Sequence, residues 1–384
     1  MSVAAAALDL RDDATVLDGL RAILGGGSTT QVAVLPGPGR PRHLVPLRPG
    51  PVAAAALAGR AGDRGLAGRL ATAALAVAAR AGAGRLVPAA RVVEGGDGPS
   101  LADWLDDVLG VRGCAVAVGV GPPRGNRKPV LQVLTPDGTT VAWGKVGWDP
   151  LTRRLVGDEA DVLDRLGGAL APGITVPVVR ARAPWQGTEV VLTAPLPLRP
   201  RARRPLRPDP DLLRAVAGPP GALDPWHGAT ARRLAAVPGG DDLVPVLDRV
   251  ADRLAAGGVR GARWHGDLTP WNVGPVPGGR AVWDWERSAA PVPLGLDAVH
   301  ASYAVATLRD GVAVTDALAA AAHDATGALG AIGVPSTAVP AAAAAYAIEL
   351  LLRQEGDRAH WTSPALDRTC AALAGALTDR RLLP

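Results

Sequence analysis

Residues 263 to 288, RWHGDLTPWNVGPVPGGRAVWDWERS, constrain this chain more than any other stretch. The turn former PVPGG precedes a short alternating run, RAVWDWE, in which β-like residues lead to a carboxylate. A hairpin therefore carries Asp284 at its far end, and the chain enters it from a loop that holds His265, Asp267 and Asn272. Pro270 and Trp271 stiffen that loop. Phosphoryl transfer from ATP needs a cation on the phosphates, oxygen ligands for one or two Mg²⁺ ions, and a carboxylate that orients or deprotonates the acceptor hydroxyl. The stretch can provide the last two: Asp267 would face the hydroxyl, while Asn272 and Asp284 offer oxygens to hard cations. Asn272 is neutral and cannot replace an acid as a base, so the asymmetry has a chemical meaning. The competing reading is two ordinary surface acids flanking a hairpin, and it does not account for the spacing.

The 384 residues include thirty-nine arginines but only two lysines (Lys128, Lys145), two asparagines (Asn126, Asn272), six glutamates and no phenylalanine. Arginine serves here wherever positive charge alone suffices, so a lysine marks a position that needs one. Both lysines and both asparagines fall in two short segments.

The same composition narrows the class. Net charge is +5 and the pI about 9.9, but the charge is diffuse. The one dense basic run, LRPRARRPLRP at 198–208, is proline-rich and reads as a linker, which argues against a nucleic-acid partner. Cys114 and Cys370 form neither a zinc motif nor a disulfide framework and read as reduced cytoplasmic thiols. The N-terminus lacks the pattern of a signal peptide. The apolar segment at 338–352 contains Pro340 and is too short to span a bilayer, so no membrane partner is expected.

Three regions follow along the chain. In residues 1–110 the β-like runs TQVAVLP and RHLVPL flank the turn GPGRPR, helical patterns occupy about 52–84, and SLADWLDDVLG is a helix with Ser100 as N-cap and Gly110 as stop. From Cys114 onward CAVAVGVG, KPVLQVL and TTVAWGKVG are joined by tight turns into an antiparallel meander. A helix over GDEADVLDRLGG and a strand over TEVVLTAPLPL come next, and from 210 the chain is mostly helical apart from the opening stretch.

HGDLTPWN followed by WDWE resembles the catalytic and metal-binding motifs of the aminoglycoside phosphotransferase and choline kinase group, small-molecule relatives of protein kinases. The likeness is strongest over 263–300 and extends more weakly back to about 115. It implies an α+β, protein kinase-like two-lobed fold: an extra N-terminal α/β region of unknown role at 1–110, a nucleotide-binding N-lobe with an antiparallel sheet at 111–197, and a mainly helical C-lobe at 198–384. It implies ATP and Mg²⁺ as cofactors, Asp267 as catalytic residue, Asn272 and Asp284 as metal ligands, and a small-molecule hydroxyl as acceptor. It further requires a lysine late in the third N-lobe strand and a glutamate in the following helix. Lys145 ends TTVAWGKVG, and Glu159 stands in DEADVLDRL, read as a first helical turn. Lys145 would neutralise phosphates and Glu159 would hold its ammonium.

Other residues carry weaker signals. GVGPPRGNRK at 119–128 lies where a nucleotide-covering loop belongs, making Gly121 and Asn126 candidate nucleotide contacts, with Lys128 and Gln132 as companions; a plain hairpin turn fits equally. His265 is read as a support of the loop backbone. Asp297 either braces the catalytic loop or is a helix-start acid. Glu286 is an indirect metal ligand or a surface acid, and Trp264, Trp271, Trp283 and Trp285 are packing residues. Thr193 to Leu196 occupy the hinge position. His227, His300, His323 and His360 have no ligand-like spacing, and Asp310, Glu349, Glu355 and Asp357 are either cation-binding acids for an acceptor or solvated helix faces. Aminoglycosides, sugars, choline-like amino alcohols and amino-acid hydroxyls are all acceptors for machinery of this kind; a maltose-phosphorylating branch of the group also carries an extra N-terminal domain. The alternatives to an enzyme of this kind are a nucleotide-binding pseudokinase acting as a scaffold and a protein kinase. The second lacks both an Ala-Pro-Glu segment and room for an activation loop between Asp284 and Asp297.

Overall fold

The Val-, Thr- and Leu-rich runs between proline and glycine turns become strands, and the Ala/Leu/Arg segments become helices. The computed structural model describes residues 8–26, 30–47, 49–58, 74–78, 80, 90–93, 99–199 and 207–379. Parts of two expectations, the helical pattern at 52–84 and the linker at 198–208, lie outside these described residues. The chain divides into two compact units, Met1–Ala160 with Val178–Pro195 and Asp161–Pro177 with Leu196–Pro384. An antiparallel-sheet unit and a mainly helical unit give the expected α+β class.

The first unit holds helices α1 (Val16–Leu24), α2 (Gly50–Ala58) and α3 (Leu101–Leu109), and most of α4 (Pro150–Leu166). Its strands are β1 (Thr30–Leu35), β2 (His43–Pro46), β3 (Ala90–Val93), β4 (Ala115–Val120), β5 (Pro129–Leu134) and β6 (Thr140–Gly147). Strands β7 (Ala169–Ala171) and β8 (Ile174–Thr175) belong to the second unit, and β9 (Val179–Trp185) and β10 (Thr188–Thr193) return to the first. Eight strands form one antiparallel sheet in the order β3-β1-β2-β4-β5-β6-β10-β9. The expected meander is its centre. The N-terminal strands extend the same sheet, with His43 opposite Gly119 and Leu44 opposite Val118. Strand β9 has no counterpart among the sequence expectations, because exposed Arg180 and Arg182 interrupt its apolar pattern.

Residues directly opposite in an antiparallel pair share a sheet face. Lys145 is paired with Val130 on one side and Val191 on the other. Val191 packs on Val156 and Ala160 of α4, so Lys145 projects toward that helix. Its neighbour Val146 faces the opposite side, where Leu20 of α1 and Leu101 and Leu105 of α3 build the main core. Helix α3 is capped as expected, with the Ser100 side chain accepting from the Asp103 N–H and Gly110 in the left-handed region.

The N-terminal segment ties down the β4–β5 loop. Arg127 is fully buried and donates to Asp13 at 2.8 Å, and Arg42 reaches the same carboxylate. Arg11 pairs with Asp149 at 2.9 Å and lies over the Trp148 ring, whose Nε1 donates to the Arg127 carbonyl.

In the second unit, α5 (Pro210–Ala217), α6 (Asp224–Ala235) and α7 (Val244–Ala256) precede β11 (Gly261–Trp264), β12 (Val273–Val276), β13 (Gly279–Val282) and β14 (Ala289–Pro293). Helices α8 (Leu296–Ala304), α9 (Val314–Ala331), α10 (Val339–Arg358) and α11 (Pro364–Thr378) follow. The alanine-rich first part of α10 is buried on all sides from Ala341 to Leu352, the behaviour of a central helix. No described helix is long and apolar enough to cross a membrane. Both cysteines are buried and free. Strand β11 pairs with β14, and β12-β13-β8-β7 form a second small sheet.

Replacing Asp13 with Ala strands the buried Arg127 charge and is expected to lower the unfolding free energy by roughly 2 kcal/mol in urea denaturation. The hydrogen bond from Arg42 is the largest influence on the Asp13 carboxyl and holds it below its ordinary value. Its contribution is therefore full above the unfolded value of about 3.9 and lost as pH falls through the lower folded value, so wild type and variant converge in acid.

Candidate active site

The loop between β11 and β12 is built around one buried carboxylate. Asp297, in the first turn of α8, accepts the N–H of His265 at 2.7 Å and that of Gly266 at 3.1 Å. Burial pushes its carboxyl up to about 6, and the two amide donors pull the other way. Gly266 has φ 81°, and a Cβ there would stand 2.2 Å from the Arg287 carbonyl oxygen, so only glycine fits. His265 is fully buried against the Trp285 ring at 4.4 Å. Its Nδ1 accepts the Asp267 N–H at 3.1 Å, so the proton sits on Nε2, which donates to the Trp283 carbonyl at 3.0 Å. His265 is thus a support of the loop and is fully occupied in that task.

These bonds present Asp267, whose side chain is 30% exposed. Its Oδ2 accepts from Asn272 Nδ2 at 2.9 Å, and its Oδ1 pairs with His300 Nε2 at 3.0 Å. Tyr346, its hydroxyl pushed far up by burial, keeps its proton and donates to His300 Nδ1 at 2.9 Å, leaving Nε2 to donate to Asp267. Burial pushes the Asp267 carboxyl up, but the hydrogen bond from His300 and the charges around it outweigh that and hold the group below the ordinary range. Arg353 of α10 completes the grip by donating to the Gly266 carbonyl at 2.7 Å. His300 was expected to be ordinary; the structure places it on the Asp267 carboxylate. The signal was its spacing: three residues after Asp297 on one helix, it faces the same loop.

The hairpin explains the interval between the two metal-ligand candidates. Val273 is opposite Val282, and the Trp283 N–H donates to the Asn272 carbonyl at 3.1 Å, so Asn272 and Asp284 leave adjacent strand ends. Both amide bonds of Asn272 Nδ2 go to Asp267, to its carbonyl and its Oδ2, which leaves Oδ1 as the atom for a cation. Asp284 has φ 71°, a left-handed conformation that Asp tolerates better than most residues. An amide oxygen beside a carboxylate is a hard, all-oxygen donor set and fits Mg²⁺.

In the first unit the Lys145 ammonium and a Glu159 carboxylate oxygen lie 2.6 Å apart, the glutamate nearly buried. Glu159 is not in a first helical turn, because α4 starts at Pro150 and places it deep in the helix. Asp149 caps that start by accepting the Thr152 N–H at 2.8 Å, and Asp followed by Pro was the available signal.

Gly121 and Asn126 lie on the loop between β4 and β5. The Asn126 carbonyl accepts from the buried Lys128 ammonium at 3.1 Å. Gln132 donates to Thr140 at 2.9 Å. Trp264 and Trp285 are buried as packing residues. Of the four acids offered for a cationic acceptor, Glu349 is buried, taking hydrogen bonds from Trp226, Thr230 and Arg233. Asp357 pairs with Arg287, Glu355 with Arg358, and Asp310 with Arg309.

No family model matches the chain, and no curated relative matches it. Solved structures of small-molecule kinases do. A putative fructosamine-3-kinase from Haemophilus somnus is 13% identical over 72% of this chain and 96% of its own, with a TM-score of 0.44. Choline kinase LicA from Streptococcus pneumoniae is 14% identical over 72% and 98%, with a TM-score of 0.43. A thermostable mutant of aminoglycoside phosphotransferase APH(4)-Ia is 14% identical over 73% and 98%, with a TM-score of 0.45.

Asp297→Ala leaves two backbone N–H groups buried without an acceptor and is expected to cost roughly 2–4 kcal/mol of unfolding free energy. Asp310→Ala, at an exposed surface pair, should leave the denaturation midpoint unchanged.

Proposed function

We propose that the protein is an ATP-dependent phosphotransferase that moves the γ-phosphoryl group to a hydroxyl of a small molecule. The observation that carries this reading is the Asp267 carboxylate, ionised and held on one oxygen by Asn272 and on the other by His300. A carboxylate fixed in this way cannot swing, and its remaining lone pairs accept a hydroxyl hydrogen along a set direction.

The acceptor oxygen forms a bond to the γ-phosphorus as the bond to the bridging oxygen of ADP breaks, and the hydroxyl proton passes to Asp267. The low proton affinity of Asp267 suits a group that orients the hydroxyl and takes its proton late, when the P–O bond is largely formed. Asn272 Oδ1 and Asp284 would hold Mg²⁺, which supplies charge neutralisation on the phosphates. Lys145 neutralises further phosphate charge, and its pairing with Glu159 keeps the ammonium in one place. Lysine suits this task better than arginine because its compact ammonium can sit on phosphate oxygens while still donating to Glu159. The acceptor is an aminoglycoside, a sugar or an amino alcohol, the hydroxyl compounds to which this chemistry applies.

An ADP-release assay over those three acceptor classes tests the reading. At least one acceptor should give turnover. Asp267→Asn should lower kcat by roughly a thousandfold with an unchanged unfolding midpoint. Lys145→Ala should lower kcat/KM for ATP by roughly a hundredfold. Nucleotide binding with no turnover on any acceptor, or full turnover in Asp267→Asn, would contradict it.

A further inference from the structure

A cavity of about 720 Å³ opens in the second unit among the last turns of α4, the end of α5 and the β11–β14 pair. Its volume falls in the range of small-molecule sites. None of the phosphoryl-transfer residues lines it.

The charge in its lining is one-sided. Two guanidiniums, Arg165 and Arg263, face it, and no acidic side chain does. Arg263 donates from Nε to the Val216 carbonyl at 2.9 Å and from Nη2 to the Ala215 carbonyl at 3.3 Å. Those bonds occupy the last carbonyls of α5 and fix the guanidinium, yet they use only part of its fork of five donors. Arg165 is exposed and has no ion pair or hydrogen bond among the described residues. Burial holds the Arg263 pKa below its ordinary value; the Asp297 charge opposes it, and the Arg165 charge adds a smaller repulsion. Two cations that face one cavity whose lining holds no acid are stabilised by an anion that reaches both. The rest of the lining is apolar or small, with Val162, Leu166, Pro219 and Pro291 offering surface to a hydrocarbon body.

We propose that this cavity binds a small organic anion, with a phosphate or carboxylate group held by Arg165 and Arg263 and an apolar body against Val162, Leu166 and Pro291. Guanidinium groups match both anions in bidentate geometry. The ligand would touch β11, which leads into the Asp267 loop, and β14, which follows the Asp284 segment. Occupation therefore stabilises the folded second unit by mass action.

Calorimetric titration of the full chain with phenyl phosphate, benzoate and phenol tests this site. At least one of the two anions should bind saturably at one site, the pair of titrations showing whether phosphate or carboxylate is preferred, and phenol should not bind. Arg165→Gln, a change at an exposed position, should weaken that binding about tenfold or more. Arg249→Gln, an exposed arginine outside the cavity, should leave it unchanged. Lys145→Ala should also leave it unchanged. Failure of both anions to bind, equal affinity in Arg165→Gln, or loss of binding in Lys145→Ala alone would overturn the proposal.

Discussion

The buried Asp297 carboxylate is the interaction on which the candidate site depends. A loop cannot satisfy its own backbone donors, and burying them without acceptors costs more than most single contacts return. Asp297 accepts two successive N–H groups, from His265 and Gly266, and so fixes the backbone one residue before Asp267. The other bonds follow from that placement. His265 can then span from the Asp267 N–H to the Trp283 carbonyl, linking the Asp267 loop to the Asp284 segment through one ring. His300 of α8 reaches the Asp267 carboxylate and is held in turn by Tyr346 of α10, and Arg353 holds the Gly266 carbonyl. Together these bonds hold the Asp267 carboxylate in one orientation.

The first unit solves a different problem, that of holding the Lys145 ammonium in one place. Sheet parity does most of this. Lys145 shares a face with Val191, the residue that packs on α4, so the helix that buries Val191 also brings Glu159 to the ammonium. The N-terminal strands lengthen the same sheet, and the ion pairs from Asp13 and Arg11 bind the N-terminal segment to the β4–β5 loop and the start of α4. The N-terminal residues are in this way part of the scaffold that positions the loop carrying Gly121 and Asn126.

Much of this was legible in the sequence where local chemistry decides the outcome. The hairpin at 273–282 followed from its turn and alternation, and the rarity of lysine singled out Lys145 before any geometry was known. Ser100 and Gly110 marked the ends of α3 for the same local reasons. What escaped depends on distant packing or on a competing signal. Strand β9 is hidden by outward arginines and exists through its pairing with β10. His300 looks ordinary by spacing to other histidines and is defined by a contact thirty-three residues away in sequence. Glu349 reads as a helix-face acid, yet α10 is buried on every side, so its carboxylate is satisfied by Trp226, Thr230 and Arg233 instead of by water or a ligand. The start of α4 was missed through a cap: Asp149 and Pro150 begin the helix well before its amphipathic part.

The central claim is that this scaffold transfers a phosphoryl group to a small-molecule hydroxyl through Asp267. The most direct measurement follows phosphorus by NMR in a mixture of the protein, ATP, Mg²⁺ and a hydroxyl acceptor. A phosphate monoester resonance of the acceptor should grow in step with ADP. Accumulation of ADP with inorganic phosphate alone, or an unchanged ATP spectrum with every acceptor class, would contradict it.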